Sequence, residues 1–255
     1  MAENQSANLV KSARTTFRIL ELLKEKKEPT VTELTAEFDL SKSSIHNYLT
    51  TLERDGYVVK EGNAYRLGLK MLDLGGYAQH GQRIYDVAKD EVTALAEETG
   101  ELANLLVEEH GKGIYLHRAH GEDAVKTDSY IGQEVYLHNT GLGNAILAHL
   151  PRDRVHEVLD EHGMPATTGS TITDRDELFD HLDEVRENGY ALDDEARVKG
   201  LRCVAVPIIN NDDEVEGAIS VSGPTSRFQG DRFRERLPEK LQSVANVIEL
   251  NITYT

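Results

Sequence analysis

Residues 40–58 read LSKSSIHNYLTTLERDGYV. Ser41 stands where a helix N-cap is needed, its hydroxyl free to accept an orphan backbone N–H of the first turn. Ile45, Leu49 and Leu52 recur at i, i+4 and i+7, one apolar helical stripe. Gly56 stops the helix and Tyr57-Val58-Val59 starts a strand. The opposite face carries Lys42, Ser43, Ser44, His46, Asn47, Tyr48 and Thr50, and no acidic residue occurs from Leu40 to Leu52. A polar, acid-free helix face in an acidic chain suits a reader of nucleic acid. Taken alone, an ordinary solvated face explains it equally well, so the flanking sequence decides.

Upstream, Thr32–Phe38 reads as a short helix capped by Thr32, with Leu34 and Phe38 turned inward and Asp39-Leu40 as the turn before Ser41. Two short helices across such a turn form a helix-turn-helix whose second helix enters the major groove. Downstream, 56–60 and 64–67 read as strands joined by Glu61-Gly62-Asn63, a wing that offers Lys60 and Arg66 to phosphate. Ser12–Lys27 reads as a helix on a Phe17, Ile19, Leu20, Leu23 stripe, ended by Pro29, with Arg14 and Arg18 near its start. Residues 1–11 read as a loose polar lead. The candidate DNA contacts are Arg14, Thr30, Ser41, Lys42, Ser43, Ser44, His46, Asn47, Tyr48 and Arg66.

The chain has 255 residues, room for one large or two ordinary domains. No apolar run approaches the roughly 20 residues of a membrane span. The start, MAENQSANLV, shows no secretory pattern, and the single Cys203 suits a reducing cytoplasm without disulfides. The net charge of −17 argues against nucleic acid until it is divided along the chain. Residues 1–70 hold 11 Lys+Arg against 10 Asp+Glu, a net of +1, and residues 71–255 hold 17 against 35, a net of −18. The acidity lies outside the expected reader and fits a salt-loving, halophilic source, with a mesophilic protein carrying an acidic effector domain as the alternative.

Beyond the wing, Leu69–Tyr77 resumes helix, and Gly75-Gly76 interrupts it as a linker. Arg83–Glu98 is a clear helix stopped by Gly100. Short β-rich runs follow at 102–108 and 113–117 around His110-Gly111-Lys112, with further strands expected at 125–130 and 134–137. Helices are expected at 140–150, 152–162 and 174–188, strands at 190–192, 203–209 and 216–221, and a long closing helix at 231–252. The order is α+β, with hairpins rather than strict βαβ alternation.

Enzyme signatures fail on inspection. His156-Glu157 opens like a zinc motif, but Asp160 stands where the second His belongs. His117 and His120 are placed at a strand end and in a loop, as solvated side chains rather than a metal pair. Gly141-Leu142-Gly143 is half a dinucleotide fingerprint without its third glycine or following acid. No metal and no cofactor is expected. What remains is pocket-like. The helix start at Thr140-Gly141-Leu142-Gly143 offers free amides to a carboxylate. Ser220 and Ser222 share one strand face, with Ile219 and Val221 on the core face, and Leu201 shares a face with Cys203. Asp193 can accept from a ligand hydroxyl. Each of these residues is commonly structural, and only their joint presence argues for a ligand.

The stretch 40–58, followed by YRLGLKMLDLG (65–75), resembles the winged helix and linker of the IclR-type transcriptional regulators. LHNTGLGNAILAHLP (137–151), GYALDDEARVKGLRCVAVPI (189–208) and GAISVSGPTSR (217–227) are similar to that family's effector domain, in the right order over nearly the whole chain. The resemblance implies an N-terminal winged helix-turn-helix domain joined by a linker helix to a C-terminal GAF-like α/β effector-binding domain. It implies homodimers or tetramers on palindromic double-stranded operator DNA, and small organic acids as effectors. By motif position, Gly141 and Leu142 would supply amides to the effector. Asp193, Cys203, Ser220 and Ser222 would complete the pocket, with Val135 and Leu201 as its apolar wall. The chain departs from the family where His46-Asn47 replaces His-Arg, Asn144 replaces lysine and Ala196 replaces glutamate.

The expectation is therefore a DNA-binding regulator: residues 1–68 read DNA, 69–80 link, and 81–255 bind a small acid. Two rivals stand beside it, a small-molecule enzyme with an accessory winged helix and a protein-interaction module.

Overall fold

The computed structural model describes residues 9–254; most of the lead expected to be loose, residues 1–8, lies outside the described residues, as does Thr255. Two compact units divide between Ala78 and Gln79.

The first unit opens with α1 (Lys11–Lys26), which buries Ile19, Leu22 and Leu23. Phe17, expected on this stripe, is 66% exposed. It lies two residues before Ile19, roughly 200° around the helix, so it faces away from the core. Helix α2 (Val31–Thr35) is capped by Thr30, not by Thr32 as expected. The box is reciprocal: Thr30 Oγ1 accepts from Glu33 N at 3.3 Å, and Glu33 Oε2 accepts from Thr30 N at 2.7 Å. Helix α3 (Lys42–Arg54) is capped by Ser41, whose Oγ accepts from Ser44 N at 3.1 Å. It buries Ile45, Leu49 and Leu52, and the chain turns out of it at Gly56 with φ +81°. Strands β1 (Val58–Glu61) and β2 (Ala64–Leu67) pair antiparallel around Gly62-Asn63, giving the wing. Leu34, Val58 and Tyr65 join the three helices in one core. Helix α4 (Lys70–His80) runs through Gly75-Gly76 without a break, against expectation. Glycine lowers helix propensity by about 1 kcal/mol but, unlike proline, leaves the backbone hydrogen bond in place.

The second unit is built on a six-stranded antiparallel sheet of order β5-β4-β3-β8-β7-β6. Helix α5 (Arg83–Thr99) precedes strands β3 (Leu102–Glu109), β4 (Lys112–His120) and β5 (Glu134–Tyr136). A 3-10 turn (Leu137–Asn139) leads into α6 (Gly141–Leu147), α7 (Arg152–His162) and α8 (Arg175–Asn188). Strands β6 (Ala191–Asp194), β7 (Leu201–Ile209) and β8 (Val215–Pro224) complete the sheet. The closing helix, expected as one piece, has a π-helical turn (Arg232–Arg236) before α9 (Leu237–Tyr254). That turn buries Phe233 and carries Arg232 to within 3.1 Å of Glu101, the unit's most deeply buried acid, which Arg227 also grips at 2.6 Å. A carboxylate so enclosed requires paired cations.

Strand alternation separates two cores. Val204, Val206, Ile219 and Val221 pack with α5 and α9. Cys203, Ala205 and Ala218 pack with α6, α7 and α8. Two expectations fail here. Residues 125–130 are not a strand; their polar groups are taken by Arg118, with NH2 donating to Thr127 Oγ1 at 2.7 Å and NH1 to the Ser129 carbonyl. His117 and His120 both lie within β4, because its partner β3 pairs with it back to Leu102. Among the described residues no three His, Cys, Asp or Glu are grouped to hold a metal, and no helix is long and apolar enough to cross a membrane.

Candidate nucleic-acid interface and ligand cavity

Helix α3 presents Ser41, Lys42, Ser43, His46 and Asn47 to solvent, with Ser44 and Tyr48 half-buried. Lys42 Nζ donates to Thr32 Oγ1 at 3.0 Å, which ties the start of α3 to α2. His46 Nδ1 lies 3.3 Å from Thr50 Oγ1. Ser43 and Asn47 stand one turn apart on the same exposed face, each with a short side chain able to reach a base edge in the major groove. Thr30 is committed to the α2 cap. Arg14 is exposed on the first turn of α1. Arg66 on the wing is held by Glu61, Nε to Oε1 at 2.6 Å, a pair that phosphate would have to displace.

In the second unit, sheet register assembles a polar row from distant sequence. Asp193 is opposite Cys203, Cys203 opposite Ser222, and Ser222 opposite Leu102. The next row on this face runs Arg118, Asn104, Ser220, Ala205. The helix start at Thr140 lies against the first row. Thr140 Oγ1 accepts from Gly143 N at 2.9 Å, and Asp193 Oδ2 accepts from Gly141 N at 3.3 Å. Close approach requires glycine here: a Cβ on Gly143 would sit 2.1 Å from the Leu137 carbonyl oxygen.

A cavity opens between these elements, lined by Gly141, Leu142, Asp193, Leu201, Cys203 and Ser222, and also by Tyr115, Thr140, Arg197 and Val198. Its volume is about 30 Å³ as the side chains stand, and it is partly open to solvent. Two of the expected residues do not line it. Ser220 is fully buried beneath, accepting from Asn104 Nδ2 at 3.2 Å, and Val135 lies in the core behind.

The electrostatics are uneven. Burial pushes the Asp193 carboxyl up to about 6, against the pull of the Ala196 and Gly141 amides that donate to it. Burial, then the neighbouring Asp193, pushes the Cys203 thiol up to about 12, so Cys203 stays neutral. Burial also raises the Tyr115 phenol. Asn104, Tyr115, Arg118, Ser129 and Arg197 were not foreseen as part of this region. Only Asn104 carried a sequence signal, as the lone amide in the otherwise apolar run Leu102–Val107.

A winged helix in one unit and, in the other, a helix-flanked antiparallel sheet with a small polar cavity are the build of a ligand-responsive DNA-binding regulator. The IclR helix-turn-helix domain matches residues 12–62, and the bacterial transcriptional regulator IclR C-terminal domain matches residues 77–250. The chain is 32% identical over 255 residues to the "Probable HTH-type transcriptional regulator ArcR" of Halobacterium salinarum, covering 98% of this chain and 97% of that one. It is 34% identical over 250 residues to the HTH-type transcriptional regulator KdgR of Escherichia coli, covering 96% and 94%. The crystal structure of an IclR transcriptional regulator from Alicyclobacillus acidocaldarius superposes with a TM-score of 0.81 at 30% identity, covering 95% of this chain and 98% of that one. The chain belongs to the IclR family of transcriptional regulators. It is a DNA-binding transcriptional regulator and not an enzyme.

Proposed function

We propose that residues 1–68 read a palindromic operator as one half of a homodimer or a tetramer, that 69–80 link, and that 81–255 receive a small organic acid in the cavity. The observation that carries the reader is the exposed face of α3, without an acidic residue from Ser41 to Leu52, capped at Ser41 and carrying Ser43, His46 and Asn47. One short helix touches too few bases for specificity, and a two-fold dimer doubles the footprint. Apolar surface left open supports self-association: Leu69, Leu72 and Tyr77 are each at least 70% exposed. The acid acts by its different affinity for the DNA-competent and DNA-incompetent arrangements of the two readers, since equal affinity would shift nothing. Gly141, Leu142, Asp193, Leu201, Cys203 and Ser222 surround the acid, with Ser220 and Val135 as support from beneath.

The test is operator binding by the full chain with and without small hydroxy acids, comparing wild type with Ser222→Ala. The proposal requires an acid that changes wild-type binding and a variant that responds less. An operator response unaltered in Ser222→Ala, Asp193→Ala and Cys203→Val alike would place the acid elsewhere.

A further inference from the structure

The cationic side of the cavity has no assigned role. Arg197 lines it with a side chain only 16% exposed. Its NH1 donates to Ser129 Oγ at 3.0 Å; its one ion-pair partner among the described residues, Asp128, is 3.7 Å away and itself 78% exposed, and its charge also reaches Asp193 across the cavity. Behind it, Arg118 spends its guanidinium on neutral acceptors: Asn104 Oδ1 at 3.0 Å, Thr127 Oγ1 at 2.7 Å and the Ser129 carbonyl. Among the described residues Arg118 makes no ion pair, and burial disfavours its charge. Two guanidiniums therefore meet at Ser129, and among the described residues neither donates a hydrogen bond to a carboxylate. A neighbouring recess shares Val198 and Leu201 with the cavity and adds the exposed Lys126 and Lys199. This positive surplus stands in a region, residues 71–255, that carries a net −18. Partly buried cations left unpaired are costly, and a guanidinium fork matches a carboxylate in shape as well as charge.

The other side of the cavity has the opposite character. Asp193 already accepts the Gly141 amide of the α6 start, so an incoming carboxylate would meet a carboxyl group beside it there. A hydroxyl suits Asp193 and Ser222; an anion suits Arg197.

We propose that Arg197 is the carboxylate anchor of this regulator, backed by Arg118 through Ser129, and that the effector is a small hydroxy acid held with its carboxylate on Arg197 and a hydroxyl toward Asp193 and Ser222. This rests on the reading of the cavity as the effector site. The specificity it implies is for the acid over its uncharged amide.

The experiment is calorimetric titration of the full chain, at one fixed salt concentration, with glycerate, gluconate and 4-hydroxybenzoate, each beside its primary amide. At least one acid is expected to bind wild type at least about 30-fold more tightly than its amide, the scale of a desolvated charge-assisted fork. Arg197→Gln should bring that acid down to the level of the amide. Arg197→Lys should recover part of the loss, because a point charge keeps attraction without the fork. Thermal melts confirm that the variants fold. An acid that binds Arg197→Gln as tightly as wild type, yet is lost in Asp193→Asn and Ser222→Ala, overturns the anchor and leaves the site standing. Binding unaffected by all of these variants, or no binding by any acid, overturns the site and the anchor together.

Discussion

The Asp193 carboxylate accepts a hydrogen bond from the Gly141 amide at 3.3 Å, while its other oxygen accepts from Ala196 N at 2.8 Å. The chain's own acid thus bridges the end of β6 and the start of α6, in the place where a free helix terminus was expected to meet a ligand.

That bridge titrates. Burial holds the Asp193 carboxyl at about 6 in the folded chain, above the ordinary 3.8. The native state therefore binds the extra proton, and this group's contribution to stability is full below 3.8 and is lost as pH rises through about 6. The loss is up to about 3 kcal/mol. Asp193→Asn should flatten the stability-pH curve over that window, read by denaturant unfolding at a series of pH values. A variant curve parallel to wild type would refute the assignment.

The two glycines of the α6 start should differ sharply. A Cβ on Gly141 meets only side-chain atoms, Asp193 Cβ at 3.3 Å and Cys203 Sγ at 3.4 Å, and narrows the cavity. Gly141→Ala should fold with a loss of about 1 kcal/mol and bind ligand poorly. A Cβ on Gly143 meets the backbone of Leu137, which cannot yield, so Gly143→Ala should cost about 3 kcal/mol. Melting temperatures in the reverse order would show that the helix start is packed differently.

On α3, Ser43→Ala and Asn47→Ala remove exposed side chains and should leave the melting temperature unchanged. Asn47→Ala should cost about 1–3 kcal/mol of operator binding and relax the preference at one base pair. Ser41→Ala should instead cost about 1 kcal/mol of folding stability through the lost cap. Mobility-shift titrations beside melts separate the two effects. Intact specificity in the Ser43, Asn47 double variant would remove α3 as the reader.

The exposed apolar side chains of α4 predict an oligomer. Leu72→Glu with Tyr77→Glu places charge on that surface and should shift the sedimentation coefficient toward monomer and weaken palindrome binding more than half-site binding. A wild-type monomer at micromolar concentration would contradict the dimer.

Much of this was legible in the sequence because local rules govern it. Ser41 and Gly56 bracket α3, and α7 runs from Arg152 to His162, both set by periodicity and end signals. Thr30 was misread although Thr30 and Glu33 carry the capping-box spacing, since Thr32 also fits a cap in isolation. Alternation alone put Ser220 and Ser222 on one face. It could not show that Asn104, 116 residues from Ser220, covers it, leaving only Ser222 at the cavity. Arg118 and Arg197 were invisible because strand register and loop packing join them at Ser129, and no local pattern encodes either.

The most direct measurement is footprinting of the full chain on its own upstream DNA, in matched high salt, with and without a panel of small hydroxy acids. The account predicts a protected palindrome whose protection one acid alters, and an Asp193→Ala chain whose protection that acid no longer alters. Protection that no acid changes would contradict the ligand cavity, and no protection under any condition would contradict the reader itself.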